Sequence, residues 1–227
     1  MPTCLITGTN RGLGLEFVRQ YAADDWKVIA TCRRPDEAEA LGAVEGSVQI
    51  YPLDVTNFAR IEQLARKLSG VAIDLLINHA GIYGPHVTPY HNIEYGAWCE
   101  VLRVNTMAPL KMSAAFLDHL NKGQHKKIVT ISSKMGSITD NTSGGAYIYR
   151  SSKAALNAVM KSLSMDLRDQ GFTVVVLNPG WVRTDMGGSN ASIDSFESVA
   201  GQREVINNLR IEDSGRFLHY DGSEIPW

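Results

Sequence analysis

The sequence has few cysteines, no Cys-x-x-Cys spacing and no clustered histidines. Its three cysteines among 227 residues, Cys4, Cys32 and Cys99, lie far apart in the chain. An odd number of isolated cysteines predicts neither a disulfide framework nor a zinc site, and we expect reduced, buried thiols. The six histidines lack the His-x-x-x-His and Glu-x-x-His spacings typical of metal ligands, so no metal is predicted.

An excess of one charge and a long apolar run are absent as well. The 22 Lys and Arg residues against 24 Asp and Glu residues give a net charge of −2, which supplies no basic field for nucleic acid. No apolar run approaches the roughly 20 residues that span a bilayer, and no basic region precedes the first strand-like segment. We therefore expect a cytoplasmic protein without a membrane segment, with a small molecule and further copies of itself as partners.

Short apolar runs alternate with longer segments of helical periodicity. The runs are rich in Val, Ile and Leu with little apolar and polar alternation, which predicts parallel strands buried on both faces. They are Thr3–Thr7, Lys27–Cys32, Val48–Pro52, Asp74–Asn78, Lys127–Ser132, Thr173–Leu177 and, more weakly, Arg216–His219. The predicted helices are Gly14–Asp24, Asn57–Leu68, Tyr95–Leu120, Tyr149–Asp169, Ser195–Leu209 and a poorer one near Asp36–Leu41.

This succession predicts βαβ units and a doubly wound α/β sheet, the Rossmann fold, in one domain over residues 1–227. In such sheets ligands bind outside the carboxyl ends of the strands. Candidate site residues are therefore sought directly after strands.

A glycine-rich turn joins the first predicted strand to the first helix. Glycines there permit a tight turn and a close approach of the backbone to a pyrophosphate, and free N–H groups at the helix start bind the anion. An ordinary turn between strand and helix is the alternative. The candidate phosphate-binding residues are Gly8, Asn10, Arg11, Gly12, Leu13 and Gly14.

Arginines follow the second strand where NAD-binding units usually have Asp or Glu. Arg33 and Arg34 stand there, and Arg11 lies in the glycine-rich turn. A guanidinium group binds a phosphate through two parallel hydrogen bonds, so this pattern predicts recognition of the 2′-phosphate of NADPH, mainly by Arg33. A solvated pair of surface charges is the alternative.

The third and fourth strands are each followed by small or polar residues. Asp54 and Val55 follow one, and Asn78, Ala80 and Gly81 end or follow the other. These residues are candidates for an adenine pocket beside the cofactor backbone. A helix cap or a plain turn explains either group equally well.

Tyr149 and Lys153 are four residues apart at the start of a predicted helix, so they share one face. An ammonium group one turn away favours a phenolate, and we expect Lys153 to lower the pKa of Tyr149 and to make it an acid/base group. Ser133 leaves a strand nearby. A pair with this spacing also occurs by chance on surface helices.

Taken together, these motifs indicate a function more specifically than any one of them does. Thr7-Gly8-x-x-x-Gly12-x-Gly14, Asn78-His79-Ala80-Gly81, Asn105, Ser133, Tyr149-x-x-x-Lys153 and Asn178-Pro179-Gly180 resemble the short-chain dehydrogenase/reductase family across nearly the whole chain. Tyr149–Lys153, Pro179–Gly188 and Asp221–Trp227 resemble its C-factor/sniffer-type carbonyl reductase branch.

The resemblance implies a role for each matching residue. Ser133 would hydrogen-bond the substrate carbonyl, Tyr149 would act as acid/base, and Lys153 would hold the nicotinamide ribose. Asn105 would hold a helix kink and a proton-relay water. Gly8, Gly12 and Gly14 would serve the pyrophosphate, Asp54 and Val55 the adenine, and Asn78 the adenosine side. Pro179, Gly180, Val182 and Thr184 would serve the nicotinamide.

The sequence departs from the family pattern at two places. His79 stands where Asn is commoner, and Ser133 and Tyr149 are sixteen positions apart, a few more than in many members. The additional Asp140–Gly145 is expected to shape a loop on the substrate side. This spacing leaves Ser132 as a weaker rival for the serine role.

We therefore expect an NADPH-dependent carbonyl reductase that acts on an aldehyde or ketone. Its substrate pocket would include His86, Met135, Trp181 and Met186, although apolar residues near strand ends are equally often core. A cofactor-binding signalling or sensor protein with little turnover is the alternative function. A sugar-nucleotide epimerase or dehydratase normally needs a substrate domain for which 227 residues leave no room.

Two further expectations concern motion and assembly. The small, polar segment Met186–Ser192 predicts a substrate lid near residues 186–200, with a hinge at Gly187-Gly188. On the helix Tyr149–Asp169, a narrow polar stripe of Asn157, Lys161, Ser164 and Arg168 leaves a wide apolar remainder. That remainder predicts a homodimer, or a homotetramer, formed through this helix, with packing against a neighbouring helix as the alternative.

Overall fold

The computed structural model describes residues 1–85 and 89–227 and contains one parallel sheet in the order β3-β2-β1-β4-β5-β6-β7. All six strand pairs are parallel, which confirms the predicted doubly wound fold. The strands are β1 Thr3–Thr7, β2 Lys27–Cys32, β3 Val48–Pro52, β4 Leu75–Asn78, β5 Lys127–Ile131, β6 Thr173–Asn178 and β7 Phe217–His219.

The strand order reverses at β1. Cys4 pairs with Val28 of β2 on one side and with Leu75 of β4 on the other, so the chain is wound outward in both directions from this strand. Reversal opens a crevice at the carboxyl ends of β1 and β4, and in open α/β sheets such a crevice is where ligands bind.

Helices cover both faces of the sheet. They are α1 Gly12–Ala23, α2 Glu39–Gly42, α3 Phe58–Lys67, α4 Tyr95–Leu102, α5 Ala108–Ala115, α6 Leu117–Lys122, α7 Tyr147–Asp166 and α8 Ser195–Asn208. One apolar core includes Phe17 of α1 and Val199 of α8, and the other includes Ile61 of α3 and Leu156 of α7. Successive β1 residues point into opposite cores, as the pleat of a strand requires.

The long helix predicted over residues 95–120 is not continuous. A π-helical turn, Arg103–Met107, separates α4 from α5, and α6 follows as a further short helix. Pro109 has no backbone N–H, so it cannot donate the α-helical bond to the carbonyl of Asn105. The missing donor favours a wider local turn at the residue that the family resemblance singles out.

The polar stripe of α7 is divided between the interior and solvent, with Lys161 and Arg168 among the exposed residues. Asn157 and Ser164 are buried, and the Lys161 ammonium donates to the Gly215 carbonyl at 3.0 Å. The Asn157 amide donates to the Gly136 carbonyl after β5 at 3.3 Å, and the Ser164 hydroxyl donates to the Lys161 carbonyl of its own helix. Ala158 and Met165 are among the exposed residues of α7.

The remaining expectations about composition have mixed outcomes. Cys4 and Cys32 are buried free thiols, but Cys99 is exposed, contrary to the expectation that all three are buried. Among the described helices, none is long and apolar enough to cross a membrane. No group of three or more His, Cys, Asp and Glu side chains in residues 1–85 and 89–227 is arranged to hold a metal.

Candidate active site

The glycine-rich turn lies at the carboxyl end of β1 and leads into α1. Gly8 and Gly12 have φ values of 75° and 55°, the left-handed region in which glycine is unstrained. A Cβ atom on Gly14 would lie 2.1 Å from the Gly8 carbonyl oxygen, so only glycine permits this approach of helix to strand. The turn therefore leaves the first N–H groups of α1 open to the crevice, which suits an anion.

Two backbone N–H groups of this turn, those of Gly8 and Thr9, donate to the Thr31 carbonyl of β2 at 2.9 and 3.1 Å. This contact brings the turn beside the residues that follow β2. Arg33 is exposed there, whereas the Arg34 guanidinium pairs with the Glu37 carboxylate at 2.9 Å. Of these two arginines, Arg34 has its charge paired with a carboxylate, and Arg33 is the one whose charge is left for a ligand.

Asp54 lies at the end of β3 and close to these charges. Burial alone raises the pKa of a carboxyl, but hydrogen bonds from Thr56 and the charge of Arg33 outweigh burial and lower the pKa of Asp54 below its usual value. The Thr56 hydroxyl donates to the carboxylate at 2.7 Å. The neighbouring Val55 is buried. An ionised Asp54 next to Arg33 shapes the polar end of the crevice.

The segment after β4 packs directly under the glycine-rich turn. The N–H groups of His79 and Ala80 both donate to the Thr7 hydroxyl at 3.1 Å, and the His79 ring contacts the Thr7 carbonyl at 3.2 Å. Desolvation of the ring lowers the pKa of His79 to about 4, so the imidazole is neutral at neutral pH. Asn78 differs from expectation: its amide donates to Pro109, Ser113 and Thr130, inside the protein, which leaves only its backbone for a ligand.

Ser133, Tyr149 and Lys153 come together at the carboxyl end of β5. A Cβ atom on Gly136 would lie 2.9 Å from Lys153, so the short helical turn Lys134–Gly136 packs tightly on α7. The Ser133 hydroxyl accepts from the Met135 N–H at 3.1 Å and lies close enough to Tyr149 to lower the pKa of its phenol. Its rival, Ser132, is buried and donates to the Asn157 amide oxygen at 2.7 Å.

The expected effect of Lys153 on Tyr149 is wrong in this geometry. Burial raises the pKa of Tyr149 to about 12 and outweighs the Ser133 hydrogen bond that lowers it. The Lys153 ammonium donates to the Ile131 carbonyl at 2.9 Å and lies 5.8 Å from the centre of the Tyr149 ring. Burial also lowers the pKa of Lys153 to about 8. Tyr149 is therefore a protonated phenol at neutral pH.

Asn105 lies in the π-helical turn and uses its side chain to hold neighbouring chain segments. Its amide oxygen accepts from the Ile82 N–H and its amide nitrogen donates to the Ile82 carbonyl, both at 2.9 Å. The same nitrogen donates to the Ser152 hydroxyl of α7 at 3.0 Å. Asn105 thus fixes the segment after β4 against the helix that carries Tyr149.

Matches with known proteins agree with this geometry. The profile of the family described as short chain dehydrogenase matches residues 2–194. The chain belongs to the short-chain dehydrogenase family. The C-signal protein of Myxococcus xanthus is 44% identical over 155 residues, which are 68% of this chain and 93% of that protein.

Solved structures of this oxidoreductase family have the same fold over the full chain. Carbonyl reductase Sniffer of D. melanogaster superimposes with a TM-score of 0.93 at 34% identity, covering 100% of both chains. The NADPH-bound carbonyl reductase from chicken fatty liver superimposes with a TM-score of 0.90 at 38% identity, covering 100% of this chain and 99% of that one. The chain is therefore similar to carbonyl reductases of the short-chain dehydrogenase family.

In this short-chain dehydrogenase, the loop after β6 faces the glycine-rich turn. Pro179, Gly180, Val182 and Thr184 all lie in it, and the Thr184 hydroxyl accepts from the Gly187 N–H at 3.1 Å. Trp181 and Met186 are exposed, with the Trp181 indole donating to the Gly187 carbonyl at 2.8 Å. Met135 is half-buried, and His86 lies outside the described residues.

Sequence reasoning missed Tyr83. Its ring stacks on the Tyr149 ring with 4.5 Å between centroids and 23° between planes. The Asn105 clamp on Ile82 fixes the backbone beside it. The available signal was its position directly after the Asn78–Gly81 motif at the end of β4, because the segments that follow strands at this edge converge on the crevice.

Proposed function

We propose that this protein is an NADPH-dependent carbonyl reductase that reduces an aldehyde or ketone to an alcohol, with Tyr149 as the acid. The observation that carries the proposal is the buried, protonated Tyr149 phenol beside Ser133, whose hydroxyl acts on the pKa of that phenol. Two hydroxyl groups at one point are suited to binding a single carbonyl oxygen, where negative charge develops during reduction.

The crevice has the features that an NADPH molecule requires. Glycines line the turn at which a pyrophosphate would lie, Arg33 would bind the 2′-phosphate, and Asp54 and Val55 would border the adenine. Pro179, Gly180, Val182 and Thr184 would border the nicotinamide. NADPH, when bound, supplies the hydride. The resemblance of this chain to an NADPH-bound carbonyl reductase supports the same choice of cofactor.

The side chains of the protein would supply orientation and a proton. The Ser133 and Tyr149 hydroxyls would donate to the substrate oxygen, and Tyr149 would then transfer its proton to the developing alkoxide. A pKa of about 12 keeps Tyr149 in the protonated state that reduction needs. The Lys153 ammonium would bind the nicotinamide ribose from beneath Tyr149, while Asn105 would keep the helix that carries both residues in place.

Turnover of NADPH with a panel of quinones, aldehydes and diketones tests the proposal. We expect loss of the near-ultraviolet absorbance of NADPH with at least one class, and formation of one alcohol per NADPH consumed. Cofactor binding without turnover on any of them would contradict it. That outcome would favour the second candidate, a cofactor-binding signalling protein, which the 44% identity to the C-signal protein supports.

A lid and a dimer complete the proposal. Two hydrogen bonds hold the segment after Thr184 at Gly187: the Trp181 indole donates to the Gly187 carbonyl, and the Gly187 N–H donates to the Thr184 hydroxyl. We propose that residues 186–200 open and close by breaking and forming these contacts.

The exposed Ala158 and Met165 of α7 offer a small, apolar surface to a second copy. For the dimer, we expect a dimeric mass by light scattering. For the lid, we expect amide exchange of residues 186–200 to differ between the protein with and without ligands. We propose that the enzyme is cytoplasmic.

A further inference from the structure

Arg11 links the two sides of the crevice through an ion pair. It directly precedes α1 in the glycine-rich turn, and its guanidinium lies 3.1 Å from the carboxylate of Asp185. Asp185 follows Thr184 in the loop after β6, and the Thr184 methyl lies 3.6 Å from the place that a Cβ on Gly12 would occupy. The ion pair therefore crosses between the glycine-rich turn and the loop that faces it.

The other side of the same turn touches the end of β2. The Gly8 and Thr9 N–H groups both donate to the Thr31 carbonyl, two residues before Arg33. The glycine-rich turn therefore touches the end of β2 through its backbone and Asp185 through the Arg11 side chain. A long, flexible arginine side chain is suited to turning from one side to the other.

The three arginines at this end differ in their partners. Arg34 is paired with Glu37 and Arg11 with Asp185, whereas Arg33 forms no ion pair within residues 1–85 and 89–227. If the proposed function holds, the 2′-phosphate of NADPH would bind Arg33 directly. Contact with Arg11 would first require its separation from Asp185.

We propose that Asp185 is a specificity-determining residue that competes with the 2′-phosphate for Arg11. This proposal rests on the proposed function and adds to it a residue that sets how strongly NADPH is preferred to NADH. Arg11 exchanges its carboxylate partner for the phosphate when NADPH binds. NADH has no 2′-phosphate and leaves the Arg11–Asp185 pair in place.

Exposure of the pair makes the exchange feasible. The side chains of Arg11 and Asp185 are 71% and 76% exposed, and an ion pair this exposed lowers a competing affinity by only about two- to fivefold. A phosphate carries nearly two negative charges and binds a guanidinium through two hydrogen bonds, so it displaces a single exposed carboxylate.

Titration of NADPH and NADH into the Asp185→Asn variant tests the proposal, with binding followed by calorimetry so that no turnover is needed. We expect NADPH to bind about two- to fivefold more tightly and the Kd of NADH to stay unchanged. Arg11→Ala should weaken NADPH alone, and Asp185→Asn added to Arg11→Ala should have no further effect. Glu224→Gln is the matched control, because it removes one exposed carboxylate paired with an arginine, Arg216, elsewhere.

Three outcomes would overturn the proposal. Weaker NADPH binding by Asp185→Asn would mean that Asp185 orients Arg11 for the cofactor. Equal tightening of NADPH and NADH would indicate simple repulsion of the shared pyrophosphate, and an effect that persists without Arg11 would exclude competition for it. A parent protein that binds neither dinucleotide would instead overturn the proposed function, and the role of Asp185 with it.

Discussion

The two ends of the crevice differ in how far their side chains are buried. The tyrosine end, defined by Tyr83, Asn105, Ser133, Tyr149 and Lys153, is largely buried, with Lys153 5% and Tyr149 7% exposed. The arginine end, defined by Arg11, Arg33, Arg34 and Asp54, is exposed. Burial shifts the pKa values of Tyr149 and Lys153 strongly, whereas the exposed Arg11 and Arg34 form ion pairs in contact with water. Under the proposed function, the buried end would carry out the chemistry and the exposed end would select the cofactor.

Removal of the Tyr149 hydroxyl should have the largest effect. Tyr149→Phe keeps the ring that stacks on Tyr83 but removes the proton donor, so we expect a loss of about 10²–10⁴-fold in kcat with NADPH affinity retained. Steady-state kinetics and calorimetry measure the two quantities. Tyr147→Phe, two residues earlier on the same helix and exposed, is the control and should be close to the parent. Retention of more than half the activity by Tyr149→Phe would exclude its role as the acid.

Reversal of the charge at Arg33 tests the role of the arginine end in the preference for NADPH over NADH. Arg33→Asp is expected to lower the ratio of kcat/KM for NADPH over NADH by about 10- to 150-fold, because a charge-assisted hydrogen bond to the 2′-phosphate is lost. The kcat values with either cofactor should change little. Arg34→Ala, which breaks only the pair with Glu37, is the matched control. An unchanged ratio in Arg33→Asp would show that Arg33 is a surface charge.

The buried ammonium of Lys153 should make stability depend on pH. Its pKa of about 8 in the folded protein lies below the ordinary value of 10.5, so between pH 8 and 10 the unfolded chain binds more protons. The free energy of unfolding should therefore gain about 2 kcal/mol from this group as the pH rises through that range. Denaturant titrations at several pH values should show a smaller rise for Lys153→Met than for the parent.

A control of the same type lies on the same helix. Lys161 is an exposed residue whose ammonium donates to the Gly215 carbonyl, and Lys161→Met should leave the rise in stability as it is in the parent. Equal pH dependence of the Lys153→Met variant and the parent would mean that Lys153 reaches solvent and that the tyrosine end is less buried than the structure indicates.

The smallest expected effect belongs to Tyr83. Aromatic stacking contributes about 1 kcal/mol beyond burial, so Tyr83→Ala should reduce kcat/KM by roughly fivefold and change the preference between small and large carbonyl substrates. Tyr83→Phe keeps the ring and should restore the parent value. If Tyr83→Phe lowers kcat/KM as much as Tyr83→Ala does, the effect comes from the Tyr83 hydroxyl and not from the stacked ring.

Much of the fold was predictable because buried parallel strands are continuous apolar runs. All seven strands lie within one or two residues of their predicted bounds, and the glycine-rich turn stands where its spacing indicated. The long helix over 95–120 was predicted as continuous because helical periodicity persists across the π turn. Pro109 was the local signal against it.

The missed features of the site are contacts between segments far apart in sequence. The stack of Tyr83 on Tyr149 and the pairing of Arg11 with Asp185 join residues 66 and 174 positions apart, and no local pattern encodes either. The upward shift in the pKa of Tyr149 was also missed, because spacing brings Lys153 near but says nothing of how deeply the phenol is buried.

The placement of β1 between β2 and β4 has a consequence for how the protein folds. Thr3–Thr7 pairs with a strand some seventy residues further along the chain, and pairings of such sequence separation form slowly and late. This pairing brings the Thr7 hydroxyl to the N–H groups of His79 and Ala80, so a chain without it lacks the contact that joins the glycine-rich turn to the segment after β4. A dinucleotide would therefore bind only the finished sheet, and its presence during refolding would raise the yield by mass action without accelerating the first steps.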